Sequence, residues 1–448
     1  MDVSPRVSPR VSPRVSPRVS PRVSPRLANQ LAVTLLLTAV IAATYGFGVY
    51  LFPVVLPQMK QDIGFDYAQA GYITAARQLA NVAMALLSGL AAARFGAARV
   101  MLVATALSAM DLAGLAFANN TWMMGAAIVT LNACAAATWV PMMALIAPLI
   151  DERHQAKAIG VIGSGTNYGV LLNGLMVPAL LALWGWRSVW LVSAVLTAIL
   201  SGVIVLVFAW LGRGSATQPR VTSLRQTKRP SERLGLRRML ARQFLLVYAI
   251  ALLCGFAGVP FITYFSAYAH DDLHLALDVT AHAWALVGLV GVVSGLVLGM
   301  IGDMRGSPDR NGHTQRDGMR TALVSAGVLL LCASLIAASR PGGYALMVAA
   351  VALGFSFFPI FGLLHAYVGK TSEPALAAMV CGICEAAFGV GGALGNVLGG
   401  LCKTVFGSFQ PVYALASAAS IILVGLAFLV SNTQRAQPVC RSGLANLR

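Results

Sequence analysis

Arg77 stands about a third of the way along the stretch 69–99, QAGYITAARQLANVAMALLSGLAAARFGAAR, whose apolar part is long enough to cross a bilayer. A charge at that depth costs roughly 2.5 to 3.5 kcal/mol on insertion scales, and a guanidinium cannot shed its proton to escape the cost. It must face water or a partner. Arg77, Asn81, Met84 and Ser88 recur at i, i+4, i+7 and i+11, so the polarity gathers on one helical face. Glu385 is the one carboxylate at mid-membrane depth in the second half of the chain. With Gly389, Gly392, Asn396, Gly399 and Lys403 it repeats at helical spacing along another small, polar face. Counted from the nearer ends of their apolar runs at about 1.5 Å per residue, Glu385 lies about 15 Å in from one side and Arg77 about 12 Å in from the other.

The composition says what kind of molecule carries these two groups. The chain has 448 residues, of which 58% are hydrophobic and 10% charged, and a mean hydropathy of +0.76. That excludes an ordinary soluble domain and places the chain in a lipid bilayer. The net charge of +17 then reflects the Lys and Arg bias of cytoplasmic loops, not nucleic-acid binding. The seven cysteines are scattered through apolar runs and imply no disulfide framework. Cys381 and Cys384 form a C-x-x-C without a second ligand pair, and His270 and His274 fall in a solvated loop, so no metal site and no cofactor is expected.

Residues 1–30 read as a disordered basic tail, because 3–26 are six tandem copies of Val-Ser-Pro-Arg, in which proline forbids helix and little apolar surface is available. An expanded coding repeat or an early start codon accounts for it better than an interaction tail. The hydropathy then predicts spans at 31–57, 69–93, 100–118, 122–149, 158–183 and 187–211, and again at 244–269, 279–302, 320–338, 343–369, 375–402 and 409–431. Twelve helices in two halves, 31–211 and 244–431, are joined by a basic linker at 212–243 and followed by a tail at 432–448. With the N-terminus inside, internal segments hold 27 Lys and Arg and external ones four, so both termini are expected in the cytoplasm.

The halves echo each other. Gly46-Phe47 recurs as Gly255-Phe256, Asp62 as Asp272, Gly89 as Gly299 and Pro141 as Pro359, at offsets between 209 and 218. Internal repeats of this kind mark secondary transporters, whose site lies near the midplane between the repeats.

From about Leu31 to Val430 the chain resembles the major facilitator superfamily. The segment Gly89-Leu-Ala-Ala-Ala-Arg94-Phe-Gly96-Ala-Ala-Arg99 is similar to the family's G-x-L-A-D-R-x-G-R-[KR] loop, with Ala93 where the family has Asp. A degenerate copy, Gly299-Met-Ile-Gly-Asp303-Met-Arg305-Gly306, keeps the acid. The resemblance implies an all-α membrane fold of two pseudo-symmetric six-helix bundles, a latch at these loops that holds the cytoplasmic side closed, and a monomer in the inner membrane. In that fold the second and eleventh helices face each other across the halves, which suggests an Arg77–Glu385 ion pair made or broken as the halves rock. The family's cavity-lining helices further nominate Tyr45, Tyr50, Asn132, Thr138, Trp139, Phe261, Tyr264, Tyr268, Phe355, Phe358 and His365, with Asn167 on the fifth helix. Aromatics around one cation suit a small organic anion, so symport of a carboxylate with protons leads. A drug or metabolite exporter and a non-transporting receptor on the same scaffold stay open. No nucleophile, phosphate loop or metal set points to an enzyme.

Overall fold

Proline and glycine decide where the helices of this chain bend and stop. The computed structural model describes residues 25–214, 238–304 and 318–430. Most of the repeat tail and of the linker, the C-terminal tail, and Arg305 and Gly306 of the second motif copy lie outside the described residues.

Helix α1 is assembled from Pro25–Ile41, a π-helical turn Ala42–Phe47, Gly48–Tyr50 and Phe52–Ile63. It begins inside the segment expected to be disordered, because nothing after Pro25 interrupts it and proline suits a first helical turn. It ends at Gly64, whose φ of 82° is left-handed. The chain continues through α2 (Tyr67–Phe95), α3 (Ala97–Ala116) and α4 (Thr121–Leu149). Asp66 caps α2 by accepting from the Gln69 N–H at 2.7 Å, while Gln69 Oε1 accepts from the Asp66 N–H in return. Gly96, at φ 92°, makes the corner between α2 and α3.

The next helical run, Arg153–Ala209, has 57 residues and would extend about 85 Å, far more than one crossing needs. Gly185 (φ 75°, ψ 176°) breaks it into α5 (152–184) and α6 (186–214). The second half repeats the pattern as α7 (Arg242–Asp271), α8 (Leu277–Asp303), α9 (Gly318–Ala338), α10 (Gly343–Thr371), α11 (Pro374–Phe406) and α12 (Gln410–Leu429). The described residues thus make twelve crossings. The first and last helices begin and end at the same face, called here the terminal face; the opposite one is the far face.

The repeat seen in the sequence reappears as matched hydrogen bonds at the far face. Asp62, at the end of α1, accepts from Trp186 Nε1 (2.8 Å) and Arg187 (2.7 Å) at the α5–α6 corner. Asp272, just past α7, accepts from Lys403, from the Ser408 hydroxyl (2.8 Å) and from the Phe409 N–H (2.6 Å) at the α11–α12 corner. The two are not energetically equal. The Arg187–Asp62 side chains are 42 and 51% exposed, those of Lys403 and Asp272 only 15 and 2%. Removing one partner of a buried pair costs about 3 kcal/mol or more, whereas an exposed pair contributes about 0 to 1. Asp272→Ala is therefore expected to lower the melting temperature in detergent clearly and Asp62→Ala much less; equal shifts would contradict the burial argument.

Candidate substrate and coupling site

The halves touch mainly on the far side of the bundle. The first part of α2 runs antiparallel to the last part of α11: a Cβ at Gly389 would meet Val82, one at Gly392 the Gln78 amide, and one at Gly400 the Tyr67 carbonyl. Helices α5 and α8 meet likewise, with Asn167 Nδ2 donating to the Gly291 carbonyl at 3.0 Å. The Tyr67 hydroxyl reaches Asp271 at 2.5 Å, and Asp271 is also joined to His270 at 2.6 Å. At the terminal face the loop motif is unengaged. Arg94 and Arg99 are exposed, Arg94 resting over the Phe95 ring, and nothing lies within 4 Å of a Cβ built at Gly299. The nearest atom to one at Gly89 is Val140, at 3.8 Å. Asp303 pairs with Lys370 of its own half at 2.5 Å. Among the described residues the contacts that join the halves lie toward the far face, and the loop motif at the terminal face makes none of them.

Arg77 lies within the joined part, 3% exposed. Its Nη1 donates to the Val49 carbonyl of α1 at 2.9 Å, and its Nε has no partner among the described residues. That carbonyl is available for a local reason. In a regular helix it would receive the amide of residue 53, and residue 53 is proline. The next amide, of Val54, turns back to Leu51 instead. The charge is thus held by a backbone dipole, and among the described residues no carboxylate pairs with it. Asn132 ties α4 to the backbone of α2 at this level, donating to the Arg77 carbonyl at 2.8 Å, while Asn81 donates to the Asn132 carbonyl at 3.2 Å.

Glu385 sits lower, half-buried, with neither ion pair nor hydrogen bond among the described residues. The expected pair with Arg77 is not formed in this conformation, and the register of α2 on α11 says why. With Gly389 against Val82 and Gly392 against Gln78, the level of Arg77 on α11 is near residue 393, about eight residues or 12 Å from Glu385. Counting depth from the ends of the apolar runs misled because α2 and α11 have 29 and 33 residues, about 44 and 50 Å, so depths measured from opposite ends do not meet.

Around these two groups the nominated residues divide. Tyr45, Trp139 and Phe358 are deep in the bundle yet keep accessible surface, as residues lining a crevice do. Tyr45 packs edge-on against Trp139 at 6.3 Å, and Tyr50 against Phe358 at 5.6 Å across the halves. Four others do not line it. Asn132 and Asn167 spend their amides on backbone carbonyls, as above. Tyr264 is fully buried, its hydroxyl donating to the Asn396 carbonyl at 2.7 Å, and Tyr268 is fully buried against α9 through the Ala337 carbonyl at 2.7 Å. Helix α7 packs on α11 and α12 of its own half and on the end of α1 across the halves, and the Tyr264 hydroxyl lies against Gly71 of α2, so its aromatic face is packing. Sequence reasoning passed over Val49 as the partner of Arg77; a proline four residues downstream in an apolar helix was the available signal.

The comparisons with known proteins agree with this architecture. The model of the Major Facilitator Superfamily matches residues 38–311. A hexuronate transporter of Bacillus subtilis is 23% identical over 384 residues, covering 82% of this chain and 87% of that protein. A gallate transporter of Pseudomonas putida is 26% identical over 151 residues, 34% of each chain, so that match spans about a third of the relative's length. Among solved structures, a bacterial homologue of the human lysosomal transporter Spinster, in an inward-facing and unoccupied conformation, superposes with a TM-score of 0.65 at 14% identity over 91% of this chain and 97% of that one. Twelve crossings, a pseudo-two-fold set of contacts, a charge held between the halves and the family match lead to one identification: the chain belongs to the Major Facilitator Superfamily and is a multi-pass membrane transporter.

Proposed function

We propose that this protein takes up a small organic anion together with protons, binding the anion at Arg77 and the proton at Glu385. The observation that carries the reading is a buried guanidinium whose one described acceptor is a neutral carbonyl, leaving donors for a carboxylate. Two relatives are named for organic anions, gallate and hexuronate, which fits. With the termini in the cytoplasm of a bacterial inner membrane, as the loop charges favour, the open end faces inward and the far contacts form the closed outer gate.

The coupling follows from the spacing. An anion on Arg77 lies on the order of 10 Å from Glu385. Two unit charges at that distance repel by about 1.5 kcal/mol at an effective dielectric of 20, roughly a tenfold factor in affinity. A protonated Glu385 removes the repulsion, so proton and anion favour each other's binding without direct contact.

Proteoliposomes loaded with a pH-sensitive dye test this. Pooled carboxylates are expected to acidify the lumen of wild-type vesicles, and uptake to rise as the external pH falls. Glu385→Gln, which mimics the protonated acid, is expected to bind anion at least as tightly as wild type but to move no protons and to lose the pH dependence. Acidification unchanged in Glu385→Gln would remove the proton from that site, and a response to hydrophobic cations alone would make the protein an exporter.

A further inference from the structure

The walls around the anion site differ in chemistry from its floor, and the difference bears on which anions fit. Tyr50 meets Phe358 at 5.6 Å, Phe358 meets Phe357 at 5.2 Å, Phe357 meets Phe388 at 6.0 Å and Phe388 meets Phe361 at 5.0 Å. This chain of rings crosses from α1 through α10 to Phe388 of α11 and returns to Phe361 of α10, and Phe388 is three residues from Glu385. All its members except Phe357 keep accessible surface. Several of the buried polar side chains nearby are engaged, while Asn167 Oδ1, Asn173 Oδ1 and both amide atoms of Asn396 have no partner among the described residues. Thr44 and Thr138 bond to each other at 3.1 Å and to their own helix backbones. Asn132 and Asn173 donate to the Arg77 and Gly46 carbonyls, both at 2.8 Å. Ser356 donates to the Leu353 carbonyl at 3.1 Å.

A polyhydroxylated acid entering such a site would exchange several hydrogen bonds to water for contacts with ring faces, and buried hydroxyls without partners are costly. A flat ring loses nothing of that kind and gains edge-to-face contacts with the wall. We propose that the site selects planar aromatic carboxylates, with the carboxylate on Arg77 and the ring among Tyr50, Phe358 and Phe388, over sugar acids and non-planar acids of similar size. This rests on the reading of Arg77 as the anion site and adds the class of anion.

The test is competition binding to the purified full-length protein with benzoate, cyclohexanecarboxylate and glucuronate, for wild type, Phe358→Leu, Phe388→Leu and Arg77→Ala. Benzoate is expected to bind at least roughly tenfold tighter than either other acid. Phe358→Leu should bring benzoate and cyclohexanecarboxylate to within about twofold, since the ring between Tyr50 and the α11 side of the wall is then replaced by an aliphatic side chain. Phe388→Leu serves the same purpose should Phe358→Leu not fold, and Arg77→Ala should weaken all three acids alike. Glucuronate binding as tightly as benzoate, with Arg77 required, would overturn the aromatic preference and leave the anion site standing. The same would hold if benzoate and cyclohexanecarboxylate were equal in wild type. Binding of all three acids that is indifferent to Arg77→Ala would overturn both.

Discussion

Arg77→Ala is expected to reduce anion uptake by at least about 100-fold while leaving a folded protein. A carboxylate held by a desolvated guanidinium loses about 2 to 5 kcal/mol when the partner is truncated, and each 1.4 kcal/mol is a factor of ten. The effect on stability has opposing parts. Deleting the side chain leaves the Val49 carbonyl without its donor, a cost of about 1 to 3 kcal/mol, but also withdraws a buried charge whose desolvation opposes folding. The melting temperature of the empty variant should therefore move little, while the stabilisation that wild type gains from substrate disappears. Arg77→Lys separates charge from geometry. One ammonium cannot hold both the Val49 carbonyl and both oxygens of a carboxylate as a planar fork can, so binding is expected to fall roughly tenfold while some uptake survives. Wild-type uptake by Arg77→Ala would end the assignment of the anion site.

The second large effect is a shift of conformation produced at the far face. A Cβ at Gly400 would run into the Tyr67 carbonyl, and one at Gly71 would lie 2.7 Å from the Asn396 carbonyl. Both contacts join α2 to α11 between the halves, so a leucine at Gly400 is a wedge only while that face is closed. Overpacking costs about 1 to 3 kcal/mol, which converts to a five- to 150-fold loss of the closed state relative to one parted at the far face. Spin labels at Gln61 and Val405, exposed on opposite halves near the far ends of α1 and α11, would report it, with the exposed Cys332 replaced to avoid stray labelling. The expected result is a new population at longer distance. Gly169→Leu supplies the contrast. Its Cβ would strike Gly46 at the α1–α5 crossing inside one half, a contact that rocking does not relieve, and little folded protein is expected. An unaltered distance distribution in a well-folded Gly400→Leu protein would show that the far contacts do not gate.

Much of this is legible in the sequence. The twelve crossings follow from hydropathy, which separated 158–183 from 187–211 where Gly185 breaks the run in the structure. The small face of α11, read from the spacing of Gly389, Gly392 and Gly399, is where α11 meets α2 and α7 closely, since small residues let helices meet tightly in lipid. Asp62 and Asp272 were paired by offset alone and proved to hold matching corners. What periodicity does not carry is the identity of the neighbour a face will meet. Tyr264 and Tyr268 share a face in the sequence and in the structure, yet that face is packed between helices, Tyr264 against α11 and Gly71 of α2 and Tyr268 against α9. Asn167 has the polarity of a ligand contact and is used to tie α5 to α8. Depth failed for a related reason: Arg77 and Glu385 were counted about 12 and 15 Å in from opposite ends, and helices of about 44 and 50 Å leave a gap between those depths.

Pro53 illustrates how a break in regular structure becomes a recognition element. Counted as a helix residue it is a liability, since it denies Val49 an amide and bends the segment. Counted as part of the site it supplies something no side chain here supplies, an acceptor that is fixed in the backbone, cannot be titrated, and satisfies a cation without cancelling it. A carboxylate in that place would neutralise Arg77 and compete with the incoming anion, whereas a bare carbonyl orients the guanidinium and leaves its charge to be used. Repairing the helix with alanine would give that oxygen a second suitor, so α1 would become more regular and Arg77 less well held: the irregularity of the helix and the usefulness of the charge are one property.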